Sequence, residues 1–117
     1  MREEKITFSF HDLSKVTIFV SYKHLRIIFM QNKVVIITGA SSGIGKALVY
    51  EFAKRGAKIS MGARNLDELQ KIETDLKAQG VDALSVQTDV TQEADCKNLI
   101  EKTVERFGKI DVLVNNG

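Results

Sequence analysis

Residues 33–45 read KVVIITGASSGIG, and this stretch decides the fold. Its first part, 33–38, is a short run of mostly β-branched residues, which is typical of a strand covered on both faces of a parallel sheet. The run ends at Gly39, and Gly43 and Gly45 follow closely. We therefore predict a buried strand that leads through a glycine-rich turn into a helix.

The rest of the chain repeats this alternation. Apolar residues recur at helical spacing after the turn, and Gly56, Gly80 and Gly108 end three such segments. Asn65, with Glu68 three residues later, predicts the start of the second helix. The predicted strands cover 33–38, 57–63, 82–89 and 110–115.

Four strands that alternate with three helices predict an α/β fold with right-handed parallel crossovers. We expect a partial Rossmann-type, doubly wound parallel sheet in which these strands, numbered along the chain, lie in the order 3-2-1-4. In the third helix, which we expect to open at Thr91, one stripe is predicted to face the core. Its members are Cys96, Leu99, Ile100, Thr103, Val104 and Phe107.

The composition excludes several classes of protein. Hydrophobic residues make up 44% and charged residues 27% of the 117 residues, as in an ordinary globular domain. The net charge is +2 with both signs interspersed, so no nucleic-acid partner is expected. Cys96 is the only cysteine, which excludes an internal disulfide and favours a buried, inert thiol in a reducing, cytoplasmic setting. His11 and His24 lack metal-ligand spacing, so no metal site is expected.

Residues 1–29 differ in character from the rest of the chain. They are rich in aromatic and β-branched residues, yet they lack turn residues between candidate strands. Their apolar runs are far shorter than the ~20 residues that cross a bilayer, and no secretory signal is present, so no membrane partner is expected. We expect an upstream extension that is poorly integrated into a domain of residues 30–117, with Met30 as the functional start. The alternative is a peripheral membrane or partner-binding segment.

The glycine-rich turn has the residues that phosphate binding requires. Gly39 permits the tight turn, Gly43 lets the backbone approach an anion, and Gly45 lets the helix pack close to the strand. The helix N-terminus offers unpaired amide groups and positive potential to a pyrophosphate. Ser41 and Ser42 add hydroxyl donors. The strand before and the helix after provide the context that this motif needs.

Two alternatives remain for this turn. In a P-loop, Lys46 would follow the last glycine, but that motif requires glycine where Ala40 stands and serine or threonine where Ala47 stands. The glycines could also serve packing alone.

These features together resemble the short-chain dehydrogenase/reductase family. The resemblance rests on the glycine spacing after Thr38, on Asp89 after the third strand and on VNNG after the fourth, and it covers residues 33–117. It matches the N-terminal, adenine-side part of the family's domain. It implies a nicotinamide dinucleotide as cofactor, and hydride transfer to or from a small alcohol or carbonyl substrate in the complete domain. It also implies an oligomer for the complete protein.

The end of the second strand predicts which dinucleotide binds. An acidic residue there would accept hydrogen bonds from the ribose 2′-hydroxyl, whereas a basic one would pair with a 2′-phosphate. The sequence reads GARN at 62–65, with no carboxylate, and Arg64 offers a guanidinium. We therefore predict a preference for NADP(H) over NAD(H). The alternative is a solvated surface arginine.

The resemblance also implies individual contacts. Asp89 would meet the adenine amino group and Val90 would pack near the ring, although Asp89 could instead cap the following turn. Asn115 and Asn116 would lie along the cofactor. The full set of implied cofactor-binding residues is Gly39, Ser41, Ser42, Gly43, Ile44, Gly45, Arg64, Asn65, Asp89, Val90, Asn115 and Asn116.

The reacting residues of the family have no counterpart in the sequence. The family uses a serine, a tyrosine and a lysine four residues after that tyrosine, all beyond the fourth strand. Tyr50 and Lys54 have this spacing, but they lie on the first helix, so we interpret them as a chance match. We therefore expect an inactive N-terminal part of an oxidoreductase. The alternative is a noncatalytic dinucleotide-binding or interaction module.

The last residues, NNG, resemble the family's Asn-Asn-Ala-Gly turn without its alanine. We expect a truncated product whose fourth strand forms an open, apolar sheet edge. Such a chain is expected to be marginally stable, to aggregate and to bind a dinucleotide weakly.

Overall fold

The computed structural model describes residues 3–9, 15–21 and 30–116. Gly117 and residues 1–2, 10–14 and 22–29 of the predicted extension, which include His11 and His24, lie outside the described residues. The strands are β1 (Glu3–Ser9), β2 (Lys15–Ser21), β3 (Val34–Thr38), β4 (Lys58–Ala63), β5 (Ala83–Gln87) and β6 (Val112–Asn115). The helices are α1 (Gly43–Lys54), α2 (Leu66–Ala78) and α3 (Glu93–Phe107).

The strands form one sheet in the order β1-β2-β6-β3-β4-β5. The part β6-β3-β4-β5 is parallel throughout. Read from β5, it is the predicted order 3-2-1-4, so the predicted doubly wound sheet with three helices is confirmed. In this arrangement the carboxyl ends of all four parallel strands meet at one edge, which is where ligands bind in such sheets.

The core has two layers because successive strand residues point to opposite faces of the sheet. On one face, Val35 and Ile37 of β3 pack in a cluster with Val49 of α1 and Leu69 of α2. On the other face, Ile36 packs in a cluster with Leu99 of α3. The continuous VVIIT run is therefore buried on both sides, as the sequence predicts.

The stripe predicted for α3 is only partly confirmed. Leu99 and Thr103 are buried, and the Thr103 hydroxyl lies 2.6 Å from the Ser60 hydroxyl of β4. Ile100 and Val104 are instead 43% and 44% exposed. Helical periodicity identifies an apolar stripe, but the width of the stripe that is buried depends on the neighbours packed against it. The helix also begins at Glu93, later than the predicted Thr91.

A side-chain hydrogen bond caps the start of α2. The side chain of Asn65 accepts a hydrogen bond from the Glu68 backbone N–H at 3.2 Å, which confirms the predicted cap of α2.

Asp111 precedes β6 and makes two hydrogen bonds with Val34 of β3. Its N–H donates to the Val34 carbonyl, and its carboxylate accepts the Val34 N–H, both at 2.9 Å.

The strands β1 and β2 form an antiparallel hairpin, and β2 pairs antiparallel with β6. The expectation of an open edge at β6 is therefore wrong, because β2 lies along it.

The domain boundary at residue 30 stays a prediction. Met30 itself is buried in the core and donates its N–H to the Arg55 carbonyl at 3.2 Å. In the part of the chain described, no helix is long and apolar enough to span a bilayer.

Candidate dinucleotide-binding site

A cleft of about 400 Å³ lies at the carboxyl ends of the parallel strands. Its walls come from the turns that follow β3, β4 and β5, with one residue after β6. The lining residues are Gly39, Ser41, Ser42, Ala63, Arg64, Asn65, Thr88, Asp89, Val90, Thr91 and Asn116. The sheet topology alone thus brings together four segments that are far apart in sequence.

The glycine-rich turn forms one wall of the cleft and leads directly into α1. Gly39 and Gly43 have φ values of 62° and 57°, the left-handed region that glycine enters without a side-chain penalty. The Ala40 N–H donates to the Gly62 carbonyl of β4 at 3.3 Å, which ties the turn to the neighbouring strand. The turn is therefore held by the sheet on one side and by the helix on the other.

The N-terminus of α1 differs from those of the other two helices in charge. The first turns of α2 and α3 each carry two acidic residues, whereas the first turn of α1 carries none. Ser42 precedes α1 and makes no side-chain capping hydrogen bond. Acidic side chains near a helix N-terminus neutralise its positive potential. The first turn of α1 therefore keeps that potential, which can attract an anion.

Gly45 is buried because its backbone lies against two parts of the site. A Cβ atom at Gly45 would overlap the Gly39 carbonyl oxygen and would lie 2.7 Å from Nδ2 of Asn116. A Cβ atom at Gly39 would overlap the backbone carbonyl oxygen of Asn116. These glycines therefore permit close packing of the turn, the helix and the end of β6. The packing alternative and the phosphate-binding interpretation both require this closeness.

Thr38 connects the ends of β3 and β6. Its hydroxyl accepts the Asn116 backbone N–H at 3.0 Å and lies 3.3 Å from Oδ1 of Asn115, to which it can donate. The Asn116 side chain in turn donates to the Gly39 carbonyl at 3.4 Å. The asparagine pair is therefore fastened to the start of the glycine-rich turn.

Arg64 follows β4 directly and is exposed at the cleft. Its backbone carbonyl accepts a hydrogen bond from the Gln87 side chain at 3.1 Å, so its main chain is held to the end of β5. Arg64 and Asp89 both line the cleft. Hydrogen bonds from Thr91 are the largest causes of the lowered pKa of Asp89, and the positive charge of Arg64 adds to this lowering.

Asp89 forms a turn after β5. Its carboxylate accepts the Thr91 backbone N–H at 3.0 Å and the Thr91 hydroxyl at 2.6 Å. These two hydrogen bonds are the main causes that lower the pKa of Asp89. The Asp89 N–H itself donates to the Asp95 carboxylate at 2.9 Å. The predicted turn-capping alternative is therefore present, and Asp89 still lines the cleft.

The structure brings eight of the twelve predicted site residues together around the cleft. Gly43, Ile44, Gly45 and Asn115 are not among the lining residues. Ile44 packs against the core cluster, Gly45 lies buried beneath the turn, and Gly43 is exposed at the start of α1. Asn115 is exposed and contacts Thr38 instead. These four residues are therefore neighbours of the glycine-rich turn or of the end of β6, and they do not line the cleft.

Three lining residues are not predicted from the sequence: Ala63, Thr88 and Thr91. Thr88 is buried, and its N–H donates to the Ala63 carbonyl at 2.8 Å. Both residues lie at the carboxyl ends of predicted strands, and this position is the signal in the sequence that indicates them. Thr91 is predicted to open α3, whereas it belongs to the Asp89 turn.

The Tyr50 and Lys54 pair lies outside the cleft. The Tyr50 hydroxyl donates to the Asp75 carboxylate of α2 at 2.7 Å. Burial, this hydrogen bond and the negative charge of Asp75 raise the pKa of Tyr50 to about 12. A tyrosine that transfers protons near neutral pH needs the opposite shift. Within the described residues there is also no group of three side chains that could hold a metal ion.

Comparisons with known proteins agree with this geometry. The family model for short chain dehydrogenase matches residues 33–117. An uncharacterized oxidoreductase of Listeria monocytogenes is 47% identical over 87 residues, which is 74% of this chain and 35% of that protein.

Two solved structures show the likeness in three dimensions. A short-chain dehydrogenase/reductase from Burkholderia phymatum, in complex with NAD, has a TM-score of 0.67 and 33% identity over 69% of this chain and 29% of its own. L-Sorbose reductase from Gluconobacter frateurii, complexed with NADPH and L-sorbose, has a TM-score of 0.68 and 38% identity over 71% of this chain and 32% of its own.

The chain thus spans about a third of the length of the curated relative it matches. The matched region contains the whole parallel sheet and every residue that lines the cleft. From the family match and from the cleft at the carboxyl ends of its strands, we conclude that the chain belongs to the short-chain dehydrogenase/reductase family.

Proposed function

We propose that this chain is the cofactor-binding part of an NADP(H)-dependent oxidoreductase that moves hydride between the nicotinamide ring and an alcohol or carbonyl group. The observation that carries the proposal is the cleft, in which a glycine-rich turn and an acid-free helix N-terminus face Arg64 across the ends of β3 and β4. The phosphates of a dinucleotide would bind at the glycine-rich turn and the helix N-terminus, and its adenosine ribose would lie beside Arg64.

The residues present fit such a cofactor. The pyrophosphate would lie at the N-terminus of α1, where Ser41 and Ser42 line the cleft and no carboxylate repels it. The adenine would lie by Asp89 and Val90, and Val90 is 43% exposed at the cleft and so available for an apolar contact. When bound, the dinucleotide supplies the hydride or accepts it. The residues of the cleft bind and orient it.

The preference for NADP(H) is supported by the residues that follow β4. Ala63, Arg64 and Asn65 line the cleft there, and none of the three carries a carboxylate that would repel a 2′-phosphate. A guanidinium binds phosphate oxygens through two parallel hydrogen bonds. One of the two solved relatives contains NAD and the other contains NADPH. The family likeness therefore does not favour either cofactor, and the proposed preference for NADP(H) rests on Arg64.

We extend the proposal to catalysis. No residue of the 117 matches the family's reacting serine, or its tyrosine and lysine in the required place, and Tyr50 has a raised pKa outside the cleft. The 117-residue chain alone is therefore expected to bind dinucleotide without oxidising alcohols or reducing carbonyls.

Binding titrations of the full chain test the cofactor assignment. NADPH and NADH are each titrated by cofactor fluorescence into the unmodified chain and into Arg64→Ala. Loss of a bidentate phosphate contact should weaken NADPH binding about tenfold, or ~1.4 kcal/mol, while NADH binding changes less than twofold. Arg106→Ala is the matched control, because Arg106 has the same charge but pairs with Asp82 outside the cleft.

The outcomes separate the two levels of the proposal. Equal losses of NADPH and NADH binding in Arg64→Ala contradict the preference for NADP(H) but leave the family assignment intact. A folded chain that binds neither dinucleotide at millimolar concentration contradicts the proposed function as a whole.

A further inference from the structure

We propose that Gln87 is a positioning residue for Arg64 and thereby sets how strongly the cleft discriminates between NADP(H) and NAD(H). The inference rests on the proposed function, in which the Arg64 guanidinium binds the 2′-phosphate. Gln87 is the last residue of β5, is exposed and does not line the cleft. Its side chain donates from Nε2 to the Arg64 carbonyl at 3.1 Å. Gln87 therefore acts on the cofactor through Arg64.

The main chain that carries Arg64 is held at three successive residues. The Ala63 carbonyl accepts the Thr88 backbone N–H at 2.8 Å, and the Asn65 side chain caps α2. Between them, the Arg64 carbonyl accepts the side chain of Gln87. The first contact joins backbone to backbone, and the second belongs to α2 itself. The Gln87 contact is therefore the one that a side-chain substitution in a different element removes by itself.

The guanidinium of Arg64 is not held at its own end. Among the residues that the structure describes, it makes no hydrogen bond and no salt bridge, and its influence on Asp89 is electrostatic. Its position therefore depends on the main chain from which the side chain extends. A bidentate contact requires the planar guanidinium to align with two phosphate oxygens. A main chain that is already fixed lowers the entropic cost of this alignment on binding.

Loss of the Gln87 contact should affect the two dinucleotides differently. NADPH carries the 2′-phosphate that Arg64 is proposed to bind, whereas NADH has a 2′-hydroxyl in that place. The proposed contacts that the two cofactors share, at the glycine-rich turn and at Asp89 and Val90, do not involve Gln87. A selective loss of NADPH binding is therefore the sign of positioning, whereas a general loosening of the cleft would weaken both cofactors.

Replacement of Gln87 by leucine in the full chain tests the proposal. Leucine removes the donor and keeps similar bulk, and a substitution at this exposed position should leave the chain folded, which circular dichroism checks. In titrations followed by cofactor fluorescence, the dissociation constant of NADPH should rise about fivefold and that of NADH less than about twofold. Gln70→Leu is the matched control and should change neither constant, because Gln70 is exposed on α2 and does not line the cleft.

A double-mutant cycle separates positioning from a merely structural role. In an Arg64→Ala background the guanidinium that Gln87 positions is gone, so Gln87→Leu should then change NADPH binding less than about 1.5-fold. A structural role would leave the loss of about fivefold in place. Gln87→Glu covers the case in which the leucine variant fails to fold. It keeps the length of the side chain, but its carboxylate cannot donate to a carbonyl, and Gln70→Glu is the control for the added charge.

The outcomes distinguish this inference from the proposed function. Equal effects of Gln87→Leu on NADPH and NADH binding, or an undiminished loss in the Arg64→Ala background, overturn the positioning role. The proposed preference for NADP(H) survives these results if Arg64→Ala alone weakens NADPH binding selectively. An unmodified chain that binds neither dinucleotide, or an Arg64→Ala variant without a selective effect, overturns both.

Discussion

The backbone N–H of Asn116 donates to the hydroxyl of Thr38 at 3.0 Å, so the last described residue is fastened to the end of the first parallel strand. The two residues are far apart in sequence, and the contact exists only because β6 pairs directly with β3. It sets the position of Asn116, whose side chain then reaches the Gly39 carbonyl. A mutation at Thr38 should therefore affect both the sheet and the cleft.

Replacement of Thr38 by valine keeps the shape of the side chain but removes its hydroxyl. The Asn116 N–H loses its acceptor, which should lower the free energy of unfolding by about 1–3 kcal/mol. Urea denaturation followed by circular dichroism measures this loss. Thr38→Ser retains the hydroxyl and is the control. A valine variant as stable as the unmodified chain would show that water replaces Thr38 at no cost.

A methyl group at Gly45 should disturb the cleft as well as the fold. The new Cβ would overlap the Gly39 carbonyl oxygen, and the resulting shift should cost about 1–3 kcal/mol and weaken dinucleotide binding at least tenfold. The control is Gly80→Ala, where φ is 81° and no atom lies within 4 Å. It should cost about 1 kcal/mol through backbone strain alone and leave binding unchanged. Similar binding by the two variants would contradict the predicted overlap.

Asp95 should influence dinucleotide binding through the turn at Asp89. Its carboxylate accepts the Asp89 N–H at 2.9 Å, although Asp95 itself does not line the cleft. In Asp95→Ala the turn should loosen, and NADPH affinity should fall about fivefold, which corresponds to ~1 kcal/mol. Glu93→Ala removes an acidic residue from the same first turn of α3 and is the charge-matched control. Equal effects of the two variants would attribute the change to charge alone.

The raised pKa of Tyr50 should make stability depend on pH in the alkaline range. The value rises from 10.0 to about 12 in the folded chain, so the folded state holds the phenolic proton more tightly than the unfolded state. The stability that the folded chain gains from this tighter proton binding is fully present below pH 10 and is lost as the pH rises toward 12. In Tyr50→Phe the free energy of unfolding should therefore change less between pH 9 and pH 11, measured by urea denaturation. An unchanged pH dependence in this variant would contradict the assignment.

Most of the parallel sheet could be predicted because its signals are local. Each strand, cap and helix end is encoded by a few adjacent residues, such as Asn65 with Glu68 or the glycines after the helices. The glycine-rich turn could be placed at the cleft because its position after β3 follows from the same pattern. Arg64 and Asp89 could be placed there because each follows a predicted strand.

The remaining features depend on contacts between distant segments. The pairing of β2 with β6 joins two strands that are far apart in sequence, and the pattern within a single strand does not predict which strand it pairs with. Thr88 and Thr91 enter the cleft because the turn after β5 bends around Asp89, which a helical pattern does not reveal. The exposure of Ile100 and Val104 likewise depends on the neighbours that pack beside α3, not on the helix itself.

The double contact between Asp111 and Val34 has a consequence for the vertical alignment of the sheet. Both hydrogen bonds join the same two residues, so a slip of β6 along β3 by one position would break both at once. The two hydrogen bonds at the N-terminal ends of β3 and β6 therefore fix the register of β6, and this register determines the position of Asn116 at the carboxyl end of that strand. In this way the carboxylate of Asp111, at the opposite edge of the sheet, keeps Asn116 next to the glycine-rich turn.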